Sequence, residues 1–157
     1  VQLQPLLDDR GRPWQQLAKR QRKNFAVKVD TRHTALRCDR QLLERILENL
    51  VSNAFKHTRE GTGEILLELS DWLAPEGVLF RLSDNGEGIP LEFIDRIFEK
   101  YSVVKGQELG LKSDTGLGLA FCRLAIQTMG GDIRVESSTG QLTVFSFHLP
   151  LDPPTTV

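Results

Sequence analysis

The sequence predicts one α+β domain in which helices lie over a mixed sheet. Two observations carry that expectation. The chain has 157 residues, 39% of them hydrophobic and 26% charged, enough apolar material for a single core in a domain of ordinary size. Within it, short alternating apolar segments come in pairs between helical segments. A doubly wound parallel sheet would instead require strict strand–helix alternation.

In chain order, Pro5, Gly11 and Pro13 predict an irregular start, with a helix only from Trp14 to Lys23. Arg10, Arg12, Lys19, Arg20, Arg22 and Lys23 cluster there and read as a solvated helix face. Phe25–Val29 alternates as a short strand and Ala35–Cys38 as another. Asp39 is placed to cap a long helix that carries Leu42, Leu43, Ile46, Leu47, Leu50, Val51 and Ala54 on one face. Gly61 and Gly63 end that unit. Glu64–Leu69 and Val78–Leu82 follow as strands, joined by a turn around Pro75 and Gly77. A glycine-rich turn at 84–90 leads into a short helix from Pro90 to about Phe98, with proline at a tolerated early position. Residues 99–115 have little apolar periodicity and are long for a passive connection, so a functional loop is expected there. A second glycine cluster at 115–119 opens a helix that runs through Met129 and stops at Gly130 and Gly131. Asp132–Glu136 and Leu142–His148 are the closing strands, and Pro150, Pro153 and Pro154 mark the end of the domain.

Composition narrows the function. Twenty Lys and Arg stand against 21 Asp and Glu, a formal charge of -1, so no basic excess points to nucleic acid. No apolar run approaches the ~20 residues that span a bilayer. The opening VQLQPLLDDR has neither the basic nor the apolar part of a secretory signal, and a cytoplasmic setting is expected. Cys38 and Cys122 sit in apolar patterns and read as reduced core thiols, with a single buried disulfide between them as the alternative. Neither they nor the three histidines fall at a zinc-ligand spacing.

Three segments carry chemistry. On the long helix Asn49, Asn53 and Lys56 are spaced i, i+4 and i+7 and fall on one stripe. At about 100° per residue the stripe lies at the rim of the apolar face, where side chains line a cavity while remaining anchored. Two carboxamides and an ammonium there suit a metal–phosphate ligand, oxygen for Mg2+ and positive charge for phosphate. Taken alone, the same residues also suit the plain border of a core helix. The second segment, DNGEGIP from Asp84 to Pro90, follows a strand directly. Gly86 and Gly88 permit close backbone approach, and Asp84 offers an acceptor to a buried amine. The third runs from Asp114 to Leu119 at a helix start, where unpaired N–H groups and the helix dipole hold anions. Neither glycine pair continues to the third glycine of a dinucleotide fingerprint. GQELGLKS at 106–113 is similar to a P-loop, but Leu111 intrudes before Lys112 and no strand precedes it, so that reading fails.

In this order and spacing, the segments resemble the ATP-binding domain shared by sensor histidine kinases, DNA gyrase, the Hsp90 chaperones and the MutL repair proteins. The match is best to the catalytic domain of sensor histidine kinases. Residues 39–58 are similar to that family's asparagine box, DNGEGIP to its first glycine box, and FIDRIFEKY at 93–101 to its phenylalanine box. TGLGLA and the strands after it resemble the second glycine box and the end of the domain. The resemblance implies a Bergerat-type fold over residues 24–150: a two-layer α/β sandwich of a mixed, mostly antiparallel five-stranded sheet and about three helices. Residues 1–23 would be a linker or the exit from upstream dimerisation helices, and 151–157 a frayed tail.

The resemblance also implies roles and two cofactors, ATP and Mg2+. Asn53 would be the Mg2+ ligand, Asn49 would line the phosphates, and Lys56 would meet one of them. His57 would pack near the nucleotide. Asp84 would accept from the adenine amino group, with Gly86, Gly88 and Ile89 shaping the base pocket and Thr143 steadying Asp84. Tyr101 and Lys105 would face the nucleotide from a lid over 99–115. Thr115, Gly116, Leu117, Gly118 and Leu119 would form the phosphate-binding helix start. Three positions depart from the pattern: Asp114 replaces a usual Gly, Leu142 a common Gly, and no Arg follows the phenylalanine box. Lys100 or Lys105 would have to make the contact of that missing Arg.

The residue four before the metal-binding Asn separates branches of the superfamily. ATP-hydrolysing relatives, and serine kinases that act on anti-sigma-factor antagonists, place a Glu base there. This chain has Asn49, which accepts no proton near neutral pH, and Glu48 is turned about 100° away around the helix. A neutral imidazole is already nucleophilic near pH 7. The expected activity is therefore that of a protein-histidine kinase. None of His33, His57 and His148 lies in the acidic, helix-borne, proline-followed setting of the family's phosphoacceptor box. The acceptor is expected on an upstream dimerisation domain, and a response regulator receiver domain as the next partner. A homodimer is expected for the full-length protein and a monomer for the isolated domain, in the cytoplasm or as the cytoplasmic part of a membrane-bound sensor. The alternatives are an ATP-binding pseudokinase or nucleotide-sensing module, which the altered lid suggests, and an anti-sigma-type serine kinase.

Overall fold

A computed structural model describes residues 1–99, 118–137, 140 and 142–155. Its strands are β1 (Asn24–Asp30), β2 (Glu64–Leu73), β3 (Glu76–Asp84), β4 (Asp132–Glu136) and β5 (Thr143–Pro150). They form one five-stranded sheet in the order β1-β2-β3-β5-β4. β1 and β2 run parallel, and every other pair is antiparallel. The helices are α1 (Leu3–Gln21), α2 (Arg40–His57), the single turn α3 (Leu91–Ile94) and α4 (Gly118–Thr128). The mixed, mostly antiparallel two-layer sandwich is therefore the observed architecture.

The register explains where the core ends. Leu69, Phe80, Phe147 and Ile133 form one row across β2, β3, β5 and β4, and Leu67, Leu82, Phe145 and Val135 form the next. Side chains facing one another in a row lie on the same side of the sheet. The Phe80 and Phe147 rings stack with centroids 4.6 Å apart. Leu43, Ile46, Leu47, Leu50 and Val51 of α2, with Cys122 and Ile126 of α4, are buried with these rows in one core. One row further, Ile65 is followed by Asp84 and Thr143. The buried face turns polar at that edge.

The start of the chain departs from the sequence expectation. Leu3–Gln21 is one 19-residue helix that contains Pro13. Pro5 sits in its first turn, where a missing N–H has no helical partner to lose. An interior proline costs about 3 kcal/mol. Four large side chains, Leu3, Leu6, Leu7 and Trp14, are buried by the same helix, at ~1.5–3 kcal/mol each, and burial wins. The basic cluster is also not uniformly solvated: Arg10 pairs with Glu44 at 2.8 Å, and buried Lys23 donates to the Phe55 carbonyl. Trp14 meets Phe25 edge-on with ring centroids 5.7 Å apart. Trp14→Ala is expected to cost ~3–5 kcal/mol, visible as a lowered denaturation midpoint.

Three smaller corrections follow from hydrogen bonding. Ala35–Cys38 is not a strand; Ala35 makes one isolated bridge to Gln2. The segment ties the chain's two ends instead, since Leu36 N donates to the Val1 carbonyl and Arg37 N to that of Leu151. The helix expected from Pro90 to Phe98 stops at Ile94 and continues as three-residue turns, with Arg96 N on Phe93 O and Glu99 N on Arg96 O. Nothing in α3 is fully buried, so no packing offsets the cost of a longer helix. β2 and β3 run longer than expected, to a tight turn at Ala74–Pro75. Both cysteines are free thiols.

Candidate functional site

α2 is the strut on which the site is built. Its N-terminus is capped as expected, with Asp39 Oδ1 accepting from Leu42 N at 3.1 Å. Along it Asn49 and Asn53 are half-buried and Lys56 is exposed, as a stripe at the rim of the apolar face should be. The carbonyls at its C-terminus, which have no helical partner, are met from outside. Thr58 Oγ1 donates to Ala54 O at 2.9 Å, Lys23 Nζ to Phe55 O, and Glu87 N to His57 O at 3.4 Å. A cation at this end also complements the helix dipole.

The last of these bonds docks the glycine loop on the helix. A Cβ on Gly86 would stand 2.3 Å from the His57 carbonyl oxygen, so only glycine allows the approach. Gly88 has φ 79, in the left-handed region that glycine enters freely. His57 Nδ1 is 3.0 Å from Glu87 Oε1, which holds the ring beside the loop. Asp84, at the end of β3, is 5% exposed, and its Oδ1 accepts from Gly86 N at 2.9 Å. Burial pushes its carboxyl above the usual carboxylate range, opposed by that hydrogen bond and by nearby His57. Its second carboxylate oxygen is the natural acceptor for an external donor.

The third segment meets the same helix. Asn49 Oδ1 is 3.2 Å from where a Cβ on Gly118 would stand, so the α2 stripe abuts the start of α4. One turn on, Cys122 Sγ lies 3.9 Å from the Ile46 carbonyl. Burial pushes this thiol up to about 12, so it stays neutral. Leu119 is half-buried beside the core. Behind the site, Phe98 packs edge-on against Phe145 at 6.3 Å, with the Arg123 guanidinium 5.7 Å from its centroid. Glu48 is turned away from the stripe as expected: it accepts from Trp14 Nε1 at 3.0 Å.

The structure thus brings Asn49, His57, Asp84, Gly86, Gly118 and Thr143 onto adjoining elements. Asp84 and Thr143 are direct cross-strand partners. Tyr101, Lys105, Thr115, Gly116 and Leu117, with Lys100 and Asp114, lie outside the described residues, as does the lid reading that rests on them. Sequence reasoning missed Ser137, whose hydroxyl is 2.8 Å from Thr143 Oγ1 and accepts from Ile89 N at 2.9 Å. The alternation of Ile133, Val135 and Ser137 places Ser137 on one face at the end of β4, but only the β4–β5 register sets it beside Thr143.

The chain is similar to known proteins in sequence and in fold. The profile of the family described as Histidine kinase-, DNA gyrase B-, and HSP90-like ATPase matches residues 38–153. The alginate biosynthesis sensor protein KinB of Pseudomonas aeruginosa is 41% identical over 116 residues, 74% of this chain and 18% of KinB. This chain therefore spans only a small part of that relative's length. The catalytic domain of histidine kinase ThkA superposes with a TM-score of 0.80 at 28% identity, covering 98% of this chain and 95% of that one. Full-length ShkA, solved in complex with AMPPNP, gives a TM-score of 0.82 at 27% identity, covering 99% of this chain and 31% of ShkA. On this evidence the chain belongs to the histidine kinase-, DNA gyrase B- and HSP90-like ATPases and is an ATP-binding catalytic domain of the sensor histidine kinase type.

Proposed function

We propose that this domain transfers the γ-phosphoryl group of ATP to a histidine on a separate dimerisation domain. The observation that carries the reading is the pairing of Asn49 and Glu48. The carboxamide at the position where hydrolytic relatives keep a base abuts Gly118, while the neighbouring carboxylate is held by Trp14 on the other side of α2. Among the described residues, neither Asn49 nor Glu48 stands as a base on the α2 stripe for water or a serine hydroxyl, and an imidazole needs none.

The residues divide the work by chemistry. Asp84 accepts from the adenine amino group and disfavours guanine, which presents a carbonyl there. The start of α4 and Lys56 draw the phosphates toward the α2 stripe. The carboxamide oxygens of Asn49 and Asn53 are hard, neutral donors of the kind Mg2+ takes beside phosphate oxygens, and Asn49 edges the space left by the absent Cβ of Gly118. Asn53 would hold Mg2+, which supplies charge neutralisation for the transferring group. In the transfer, the acceptor imidazole nitrogen bonds to the γ-phosphorus as the β–γ bridging P–O bond breaks. ADP takes that electron pair, and the imidazolium proton passes to solvent. Positioning and charge supply most of the rate.

The chain's own histidines are engaged elsewhere. His33, its side chain 12% exposed, has Nε2 3.6 Å from Glu76 Oε1, His57 contacts Glu87, and the His148 ring stacks on Trp72 at 4.3 Å. An upstream acceptor domain, a response regulator receiver domain, a dimeric parent protein and a cytoplasmic site of action complete the proposal. Among the described residues no helix is long and apolar enough to cross a membrane. With γ-labelled ATP, Mg2+ and a supplied domain carrying acceptor helices, label should appear on the acceptor. A domain that binds ATP yet never labels an acceptor would contradict the reading.

A further inference from the structure

We infer that Ser137 is a positioning residue for adenine selection, fixing the hydroxyl of Thr143, the cross-strand partner of Asp84, and tying it to the first glycine loop. The inference rests on the reading of Asp84 and Thr143 given above. Its geometry is independent of that reading. The β4–β5 ladder pairs Glu136 with Val144, so the next rung sets Ser137 opposite Thr143, which is itself opposite Asp84. Ser137, Thr143 and Asp84 thus continue the rows of the core by one polar row.

A serine hydroxyl has one hydrogen and two lone pairs. Ile89 N uses a lone pair at 2.9 Å, and Thr143 Oγ1 lies within hydrogen-bond distance at 2.8 Å. With Ser137 accepting from Ile89 N and donating to Thr143 Oγ1, the hydrogen of Thr143 is left for a ligand held at its cross-strand neighbour Asp84. Thr143 is 4% exposed, so water does not readily replace this arrangement. Ser137 thereby sets the donor beside the adenine-selecting carboxylate and holds the backbone of the loop that closes on the base. The two are coupled through one oxygen.

The test compares the parent chain, Ser137→Ala, Ser137→Thr and Asp84→Asn for ATP and GTP affinity by calorimetry, with the Ile89 amide followed by NMR in the absence of nucleotide. Ser137→Ala should weaken ATP about fivefold or more, the usual effect of leaving buried polar groups without a partner. It should lower the ATP-over-GTP ratio and speed exchange of the Ile89 amide. Ser137→Thr keeps the hydroxyl and should restore both. Should the alanine variant melt below the assay temperature, Ser137→Cys, with its weak thiol acceptor, carries the same expectation. If Asp84→Asn collapses the ATP-over-GTP ratio while a folded Ser137→Ala leaves it unchanged, the role of Ser137 is refuted and that of Asp84 stands. If Asp84→Asn also leaves the ratio unchanged, the reading of the pair fails and takes this inference with it.

Discussion

Asn53→Ala is expected to reduce phosphotransfer to a supplied acceptor domain by at least about 10²–10³-fold. The carboxamide is the proposed Mg2+ ligand, and without it charge on the transferring group is not neutralised. The fold should survive. Asn53 is half-buried and lies at the rim of α2, outside the buried set of Leu43, Ile46, Leu47, Leu50, Val51, Ala54 and Phe55, so the change in stability should stay within ~0.5 kcal/mol. Glu48→Gln is the matching control. Glutamine retains an acceptor for Trp14 Nε1, and the side chain faces α1, so transfer should change little. Loss of transfer in Glu48→Gln would mean that this carboxylate serves as a base, and the hydrolytic or serine-kinase branch would then fit better.

Asp84→Asn should act in opposite directions on binding and on stability. ATP affinity should fall by ~1–3 kcal/mol, because the amide presents a donor to the adenine amino group or must give up its bond from Gly86 N. The empty domain should become more stable at neutral pH. Burial raises the Asp84 carboxyl above its ordinary value, so the folded state binds its proton more tightly than the unfolded chain does. That contribution is fully present below the ordinary carboxylate range and is lost as pH rises through the raised value. Above the raised value an ionised, desolvated carboxylate weighs against the folded state, and asparagine carries no such charge. Thermal melts of the two proteins should diverge at neutral pH and converge on acidification. A variant that is destabilised at pH 7 would show that Asp84 is held by contacts stronger than its desolvation.

Much of this site was legible in the sequence, for a physical reason. α2 announces itself through an N-cap and a continuous apolar face, and a fixed helical period then places Asn49, Asn53 and Lys56 relative to that face without further information. Gly86 was legible because a backbone contact with the His57 carbonyl tolerates no Cβ. The extent of α1 was not, since local propensity at Pro5, Gly11 and Pro13 argues against a helix that only tertiary burial of Leu3, Leu6, Leu7 and Trp14 sustains. Ala35–Cys38 alternates like a strand but finds the chain ends as partners instead of the sheet. Ser137 needed the β4–β5 register, which links residues on either side of a turn and is set by pairing, not by composition.

The chemical stability of the transferred phosphoryl group tests the central claim most directly. After incubation with γ-labelled ATP, Mg2+ and a domain bearing acceptor helices, the labelled product is split and held in acid and in base. A phosphohistidine loses its label in acid and keeps it in base, and that is the expected result. Label that survives acid would mark a hydroxyl acceptor and contradict the histidine-kinase reading.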